Sequence, residues 1–214
     1  MTTTATDSQE FTGATLRQAV ALIMLMAGAG SIGYTVWASV ITNFSIEEAA
    51  FDGFQMGALH SIREIPGFLA FTAVFFVAAF REQHLAVFFL AMLGFGTALT
   101  GFFPSFWGIA ITMSIMSVGF HYYETYAQSL QLQWFPKDRA PVLLGWVVAT
   151  TSIAALVSMG SSWIAFQVFD LSYLLVFLVS GSVCLGGAIF AMGAFKTLPR
   201  GARQRTGIVL RPRY

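Results

Sequence analysis

The sequence predicts an all-α polytopic membrane protein with six transmembrane helices, and three observations carry that reading. Six hydrophobic runs divide the 214 residues, each near or above the ~20 residues that a helix needs to cross a ~30 Å hydrocarbon core. The chain is 57% hydrophobic and only 10% charged, too little charge to cover a water-soluble protein of this size, so lipid must face most of its surface. The segments between the runs also alternate between basic and acidic or uncharged, as successive loops on opposite sides of a membrane do.

The runs cover 19–41, 54–80, 85–103, 107–135, 142–169 and 171–195. They are too long for strands and lack apolar/polar alternation. A helix is also the only open-chain structure that satisfies every backbone group in lipid. The links 81–84 and 104–106 and the single Asp170 are short, so consecutive helices must be antiparallel neighbours. Trp37, Trp107, Trp134 and Trp163 stand near run ends, where amphipathic rings suit the headgroup layer. The first run contains Ala27-Gly28-Ala29-Gly30-Ser31-Ile32-Gly33 and the sixth contains Gly181, Gly186 and Gly187, small residues that let transmembrane backbones approach.

Charge sets the orientation. Arg17 precedes the first run, and Glu47, Glu48 and Asp52 follow it. Arg81 and Glu82 follow the second, and no charge separates the third from the fourth. Lys137, Asp138 and Arg139 follow the fourth, Asp170 follows the fifth, and Lys196, Arg200, Arg203, Arg205, Arg211 and Arg213 close the chain. Every basic residue except Arg63 thus falls on one side. Cytoplasmic loops collect Lys and Arg, so both termini are expected in the cytoplasm, with the protein in a plasma (inner) membrane. Three segments follow: a polar cytoplasmic stretch 1–16, a transmembrane domain 17–195 and a basic tail or linker 196–214. Residues 1–11 lack the basic n-region and adjacent apolar core of a cleavable signal peptide. The ending Arg211-Pro212-Arg213-Tyr214 reads as the middle of a longer protein, just before another span.

Composition excludes several chemistries. The lone Cys184 rules out an intramolecular disulfide or a thiolate cluster and reads as a packing residue. The basic loops orient the chain and give no reason to expect nucleic acid. No nucleophile–base pair or cofactor motif occurs, so neither an enzyme nor a cofactor is predicted.

The costly residues lie inside the runs. The second holds His60, Arg63 and Glu64, and the fourth holds His121 and Glu124. A charge at the membrane centre costs ~2.5–3.5 kcal/mol even on the lenient insertion scale, so these side chains should face protein or water. His60, Arg63 and Glu64 share one broad helix face by their spacing, and so do His121 and Glu124. Counted from the run boundaries, Glu64 and His121 differ in depth by roughly 2–6 Å, a gap an Arg side chain bridges. One reading makes Arg63 a lock between helices, neutralising Glu64 or Glu124. The other has Arg63 bind an anionic substrate group while Glu64 or Glu124 exchanges a proton. Two imidazoles and two carboxylates would also suit Zn²⁺ or Mn²⁺, but Arg63 repels a cation and no metal motif is present, so no metal site is predicted. Tyr34 and Tyr123 join the candidate site, and at least one of Tyr122, Tyr123 and Tyr126 should face lipid. Pro66-Gly67 directly after Glu64 predicts a kink.

These features together resemble the N-terminal half of a major facilitator superfamily transporter. The resemblance covers residues 17–200 and rests on six spans with both ends inside, apolar third and sixth helices, and a basic loop after the sixth. Two stretches add to it: Gly57-Ala58-Leu59-His60-Ser61-Ile62-Arg63-Glu64-Ile65-Pro66-Gly67, and Trp134-Phe135-Pro136-Lys137-Asp138-Arg139 with Gly145. The loop Phe80-Arg81-Glu82-Gln83-His84 departs from the family pattern and keeps only Arg81. The family has twelve spans, and this chain supplies six.

The resemblance implies two three-helix repeats, with helices one and four lining a cavity, two and five flanking it, and three and six facing lipid. It places His121 and Glu124 toward substrate and Arg63 at the flank. It implies a secondary transporter of a small solute, completed by a second six-helix half, either a C-terminal half or another copy. A non-transporting membrane subunit that retains the fold is the alternative.

Overall fold

The structure, a computed structural model, describes residues 13–198; residues 1–12 of the polar segment and 199–214 of the basic tail lie outside the described residues. It is all-helical, with no strand among the described residues. The elements are α1 (Gly13–Glu47), α2 (Gly53–Leu69), a 3-10 turn (Ala70–Thr72), α3 (Ala73–Ala79), α4 (Glu82–Thr100), α5 (Phe106–Trp134), α6 (Ala140–Gln167) and α7 (Tyr173–Ala194). Six hydrophobic runs become seven α-helices because the second run is broken into pieces of 17, 3 and 7 residues.

Four helices, α1, α4, α6 and α7, are long and apolar enough to cross a membrane. The other two runs fall short of that standard for visible reasons. The break divides the second, and polar side chains from His121 to Gln133 dilute the fourth.

Local signals fix the helix starts. Asp52 caps α2, its Oδ1 accepting from Gln55 N–H (2.7 Å) while Gln55 Oε1 accepts from Asp52 N–H (3.1 Å), a reciprocal capping box. Ser105 and Ser172 cap α5 and α7 through their hydroxyls. Pro141 stands in the first turn of α6, where its missing N–H costs nothing. Asp170 makes the α6–α7 turn with φ +49°, a left-handed conformation that Asp tolerates better than most residues.

The two ends of the bundle carry opposite charge. At one end, Glu47, Glu48 and Asp170 border a single cavity of about 710 Å³, and Tyr173 OH donates to Glu47 Oε2 (2.7 Å). At the other end stand Arg81, His84 and Lys196, brought together from α4 and the end of α7.

Helix α4 lies against α5, α7 and α1. Glycine makes this possible on two faces. A Cβ on Gly96 would lie 2.7 Å from Met116 Cα of α5, and one on Gly119 would lie 2.8 Å from Leu93 Cα of α4. On the α7 side, a Cβ on Gly181 would lie 2.5 Å from Ala98 N, and one on Gly94 would lie 2.8 Å from Gly181 O. Backbones meet at these points with no room for a side chain. The third run was expected to face lipid; instead α4 is largely enclosed and exposes a narrow stripe at His84, Phe88 and Phe95. The exposed long helices are α6, in which Val147, Ser158 and Ser162 are the buried residues, and α2, in which Leu59 and Pro66 are. Cys184 packs beneath Gly33 of α1, and its Sγ donates to Leu90 O (3.4 Å).

The tryptophans divide. Trp107 and Trp163 are exposed as expected, whereas Trp37 and Trp134 are wholly enclosed. Trp134 packs edge-on against Phe195, so packing between helix ends has claimed a ring that sequence position assigned to the interface.

Two further seams complete the bundle, α1 with α6 and α2 with α5. Ser31 Oγ donates to Thr151 O across the first (2.8 Å), and Ser117 Oγ donates to Arg63 O across the second (2.5 Å). Gly181→Val should destabilise the protein by roughly 3 kcal/mol through overpacking, lowering its thermal midpoint in detergent. Gly186→Ala, where an added Cβ meets open space, should leave that midpoint nearly unchanged. Equal midpoints for both variants would refute the backbone-contact assignment.

Candidate functional site

The titratable residues of the second and fourth runs sit on the α2–α5 seam, where the helices run in the same direction at one register. Beside the Ser117–Arg63 bond, Tyr122 OH donates to Leu69 O (3.0 Å) and Tyr126 OH donates to Ala73 O (2.9 Å). The partners are 54, 53 and 53 positions apart, and a constant difference is what parallel neighbours give. Glu64 is therefore level with Val118, three residues from His121. Their axial offset is about 4.5 Å, inside the range expected from sequence.

The same bonds explain where the second helix breaks. Sequence predicts the kink at Pro66-Gly67, yet α2 continues to Leu69 and tightens to 3-10 only at Ala70–Thr72. Ala70 N–H bonds Gly67 O and Ala73 N–H bonds Ala70 O, a shift from four-residue to three-residue spacing. Donors on α5 stand opposite Leu69 and Ala73, so those carbonyls find hydroxyl partners away from water. Leu69 O, Thr72 Oγ1 and Tyr122 OH form a triangle with sides of 2.8, 3.0 and 2.5 Å. Two hydroxyl protons serve three close oxygen pairs, so this junction has more than one satisfactory arrangement.

Arg63 and Glu64 form an ion pair, with Nε and Nη2 both donating to Oε1 (2.9 and 2.6 Å). Half of the Glu64 side chain is exposed and a quarter of Arg63. His60 and His121 are both near enough to act on Glu64 electrostatically. The His121 ring lies over Gly67, where a Cβ would come within 3.0 Å of Cε1. It meets Phe120 edge-on at 5.2 Å, and Phe120 stacks on Tyr34 of α1 at 4.1 Å.

Arg63, Glu64, His60 and His121 are thus brought together, and Tyr34 supports them from behind through Phe120. Glu124 lies one helical turn further along α5, half-buried beside Tyr123 and Gln128. Tyr123 is 2% exposed and packs into the space left by Gly30 of α1. Tyr122 and Tyr126 are enclosed as well, which corrects the expectation that one of the three tyrosines faces lipid. Aromatic rings are long enough to cross a helix contact, so three nearly consecutive tyrosines can all be enclosed by protein. Sequence reading did not single out Ser117 or Thr72. For Ser117 a signal existed, since Ser117, His121 and Glu124 follow the i, i+4, i+7 spacing of one stripe.

No three His, Cys, Asp or Glu side chains converge on a metal-sized site among the described residues. Comparison of the chain with protein-family profiles, curated proteins and solved structures returned no match.

Tyr126→Phe should cost about 1 kcal/mol of stability, the usual value of a buried hydrogen bond. Tyr122→Phe should cost less, because Thr72 remains to donate to Leu69 O. Thermal unfolding of both variants checks the order, and a larger loss for Tyr122→Phe would overturn it.

Proposed function

We propose that this chain is the N-terminal six-helix half of a secondary active transporter of the major facilitator type, with both termini cytoplasmic, moving a small anionic solute together with a proton. The observation that carries the proposal is a repeated seam. Moving about 87 positions along the chain takes Ser31 to Ser117, Arg63 to Thr151 and Gly94 to Gly181, each to within one residue. Under that shift, the Ser31–Thr151 bond of α1 and α6 corresponds to the Ser117–Arg63 bond of α5 and α2, and the Gly94–Gly181 contact maps onto itself. Runs one to three and four to six then form two equivalent units of opposite sense, the internal symmetry on which many transporters are built. No sequence identity between the halves announces it.

The ionisable cluster fits that reading. Transporter sites lie near the midplane, beside interrupted helices, and use intramembrane charges held by protein. Here the interruption follows Arg63 and Glu64 within two turns. Arg63 is already engaged by Glu64, so an anion can claim the guanidinium only when Glu64 releases it. Protonating Glu64 does this, and the solute and the proton are then bound together. The apolar flanks of α2, the 3-10 turn and α6, including Phe68, Phe71, Val148 and Leu156, are exposed and offer a seat for the second half.

In vesicles carrying the chain with its companion half, uptake of labelled small carboxylates and inorganic phosphate should follow an imposed proton gradient. Arg63→Ala should reduce it at least about tenfold with normal insertion, equivalent to ~1.4 kcal/mol. Glu64→Gln should leave uptake insensitive to the gradient. Unchanged uptake in Arg63→Ala would favour a structural lock, and no uptake by the unmodified pair would favour a non-transporting subunit.

A further inference from the structure

A second polar site lies at the opposite side of α4, away from the seam. A cavity of about 440 Å³ opens between the start of α4 and the end of α7. Arg81, His84 and Lys196 border it, and among the described residues no carboxylate does. The carboxylate that chain order would place there, Glu82, is buried and turned to α5, accepting from Ser129 Oγ (3.0 Å) and from Gln133 Nε2. Among the described residues, the ion pairs are Arg63–Glu64 and Arg139–Asp138, so neither Arg81 nor Lys196 has its charge answered by the described protein.

Two more donors belong to the same place. Gln83 lines the cavity, is only 7% exposed, and its Nε2 is buried with no hydrogen-bond partner. A buried amide left unpaired destabilises the fold, and an acceptor from outside the chain would remove that cost. Arg81 caps α4 without a side-chain bond to the first turn, and Arg81, Gln83 and His84 place the N-terminus of this 19-residue helix, which also carries Glu82, beside the cavity. Cations, an unpaired amide and a helix N-terminus all call for a phosphate-like anion.

The walls decide its source. Val87 and Met192 continue the cavity as apolar surface, and Phe88, Ile189 and Phe190 beyond them are exposed. Both α4 and α7 are long and apolar enough to cross a membrane, so their shared end stands at headgroup depth. We infer that the cavity bordered by Arg81, Gln83, His84 and Lys196 binds the phosphate of an anionic phospholipid, whose acyl chains lie along exposed α4 and α7. Basic pockets between transmembrane helices suit this chemistry. The inference requires α4 and α7 to lie in a bilayer and does not depend on transport.

Native mass spectrometry of the full chain in detergent, with added phosphatidylglycerol or phosphatidylcholine, tests it. Phosphatidylglycerol should be retained selectively. Arg81→Ala with Lys196→Ala should weaken it about thirty-fold, the loss expected for two cations at headgroup level. Arg81→Lys with Lys196→Arg should restore most of it, and Arg139→Ala, outside the cavity, should not change it. A matching thermal midpoint for the double alanine variant shows that folding is intact, and if it fails to fold, Gln83→Leu replaces it with a several-fold loss expected. The basic residues 200–205 remain in every variant, so retention carried by them would persist and overturn the assignment. Equal retention of glycerol phosphate or inorganic phosphate would also overturn it, since a free anion would then suffice.

Discussion

The bundle depends on helices touching backbone to backbone along α4. Lipid tails are as apolar as leucine, so no hydrophobic force gathers helices that are already in a membrane; close packing must do it. Gly94 and Gly96 of α4, with Gly119 of α5 and Gly181 of α7, remove the side chains that would hold the helices apart. The other seams follow from these crossings. Helix α5 carries the broken α2–α3 pair, α7 supports α1, and α1 in turn holds α6. Enlarging a residue at the centre would therefore disturb contacts that it does not itself make.

A second constraint acts on the backbone. Once the second helix breaks, its freed carbonyls must find donors inside protein, because the hydrocarbon supplies none. Tyr122 and Tyr126 provide them, and in doing so fix α2 against α5 at a single depth. That register gathers Arg63, Glu64, His60 and His121. The stapling hydroxyls and the ionisable cluster occupy the same two helices, so any motion of α3 relative to α2 is transmitted directly to the hydrogen bonds beside the charged group.

Much of the architecture was legible in the chain itself. Run lengths located the helical rods, and the alternation of Arg, Glu and Lys between them anticipated the oppositely charged ends. Depth counting brought Glu64 and His121 within reach, and the register gives an offset inside that range. Hydropathy could not tell which face of an apolar helix meets lipid and which meets protein, because both environments reward the same residues. That is why sequence places the third run, which carries no ionisable residue, at the periphery, and Trp37 and Trp134 at the interface. The glycines of the first and sixth runs were visible, and Gly30, Gly33, Gly181 and Gly187 do sit at close contacts, while Gly186 faces open space. Sequence does not single out those of the third run, although Gly96 makes one of the tightest approaches. The break was expected from Pro66, but its position was decided by tyrosines more than fifty residues away, a tertiary cause that no local pattern contains.

Three of the tethers between the second run and α5 end on main-chain oxygens: Arg63 O, Leu69 O and Ala73 O. A main-chain acceptor is present whatever amino acid occupies the position. Helix placement is thereby uncoupled from the identity of the groups at 60, 63 and 64. Descendants of this chain can exchange those groups, and so acquire new chemical preferences, while inheriting the alignment that made the site.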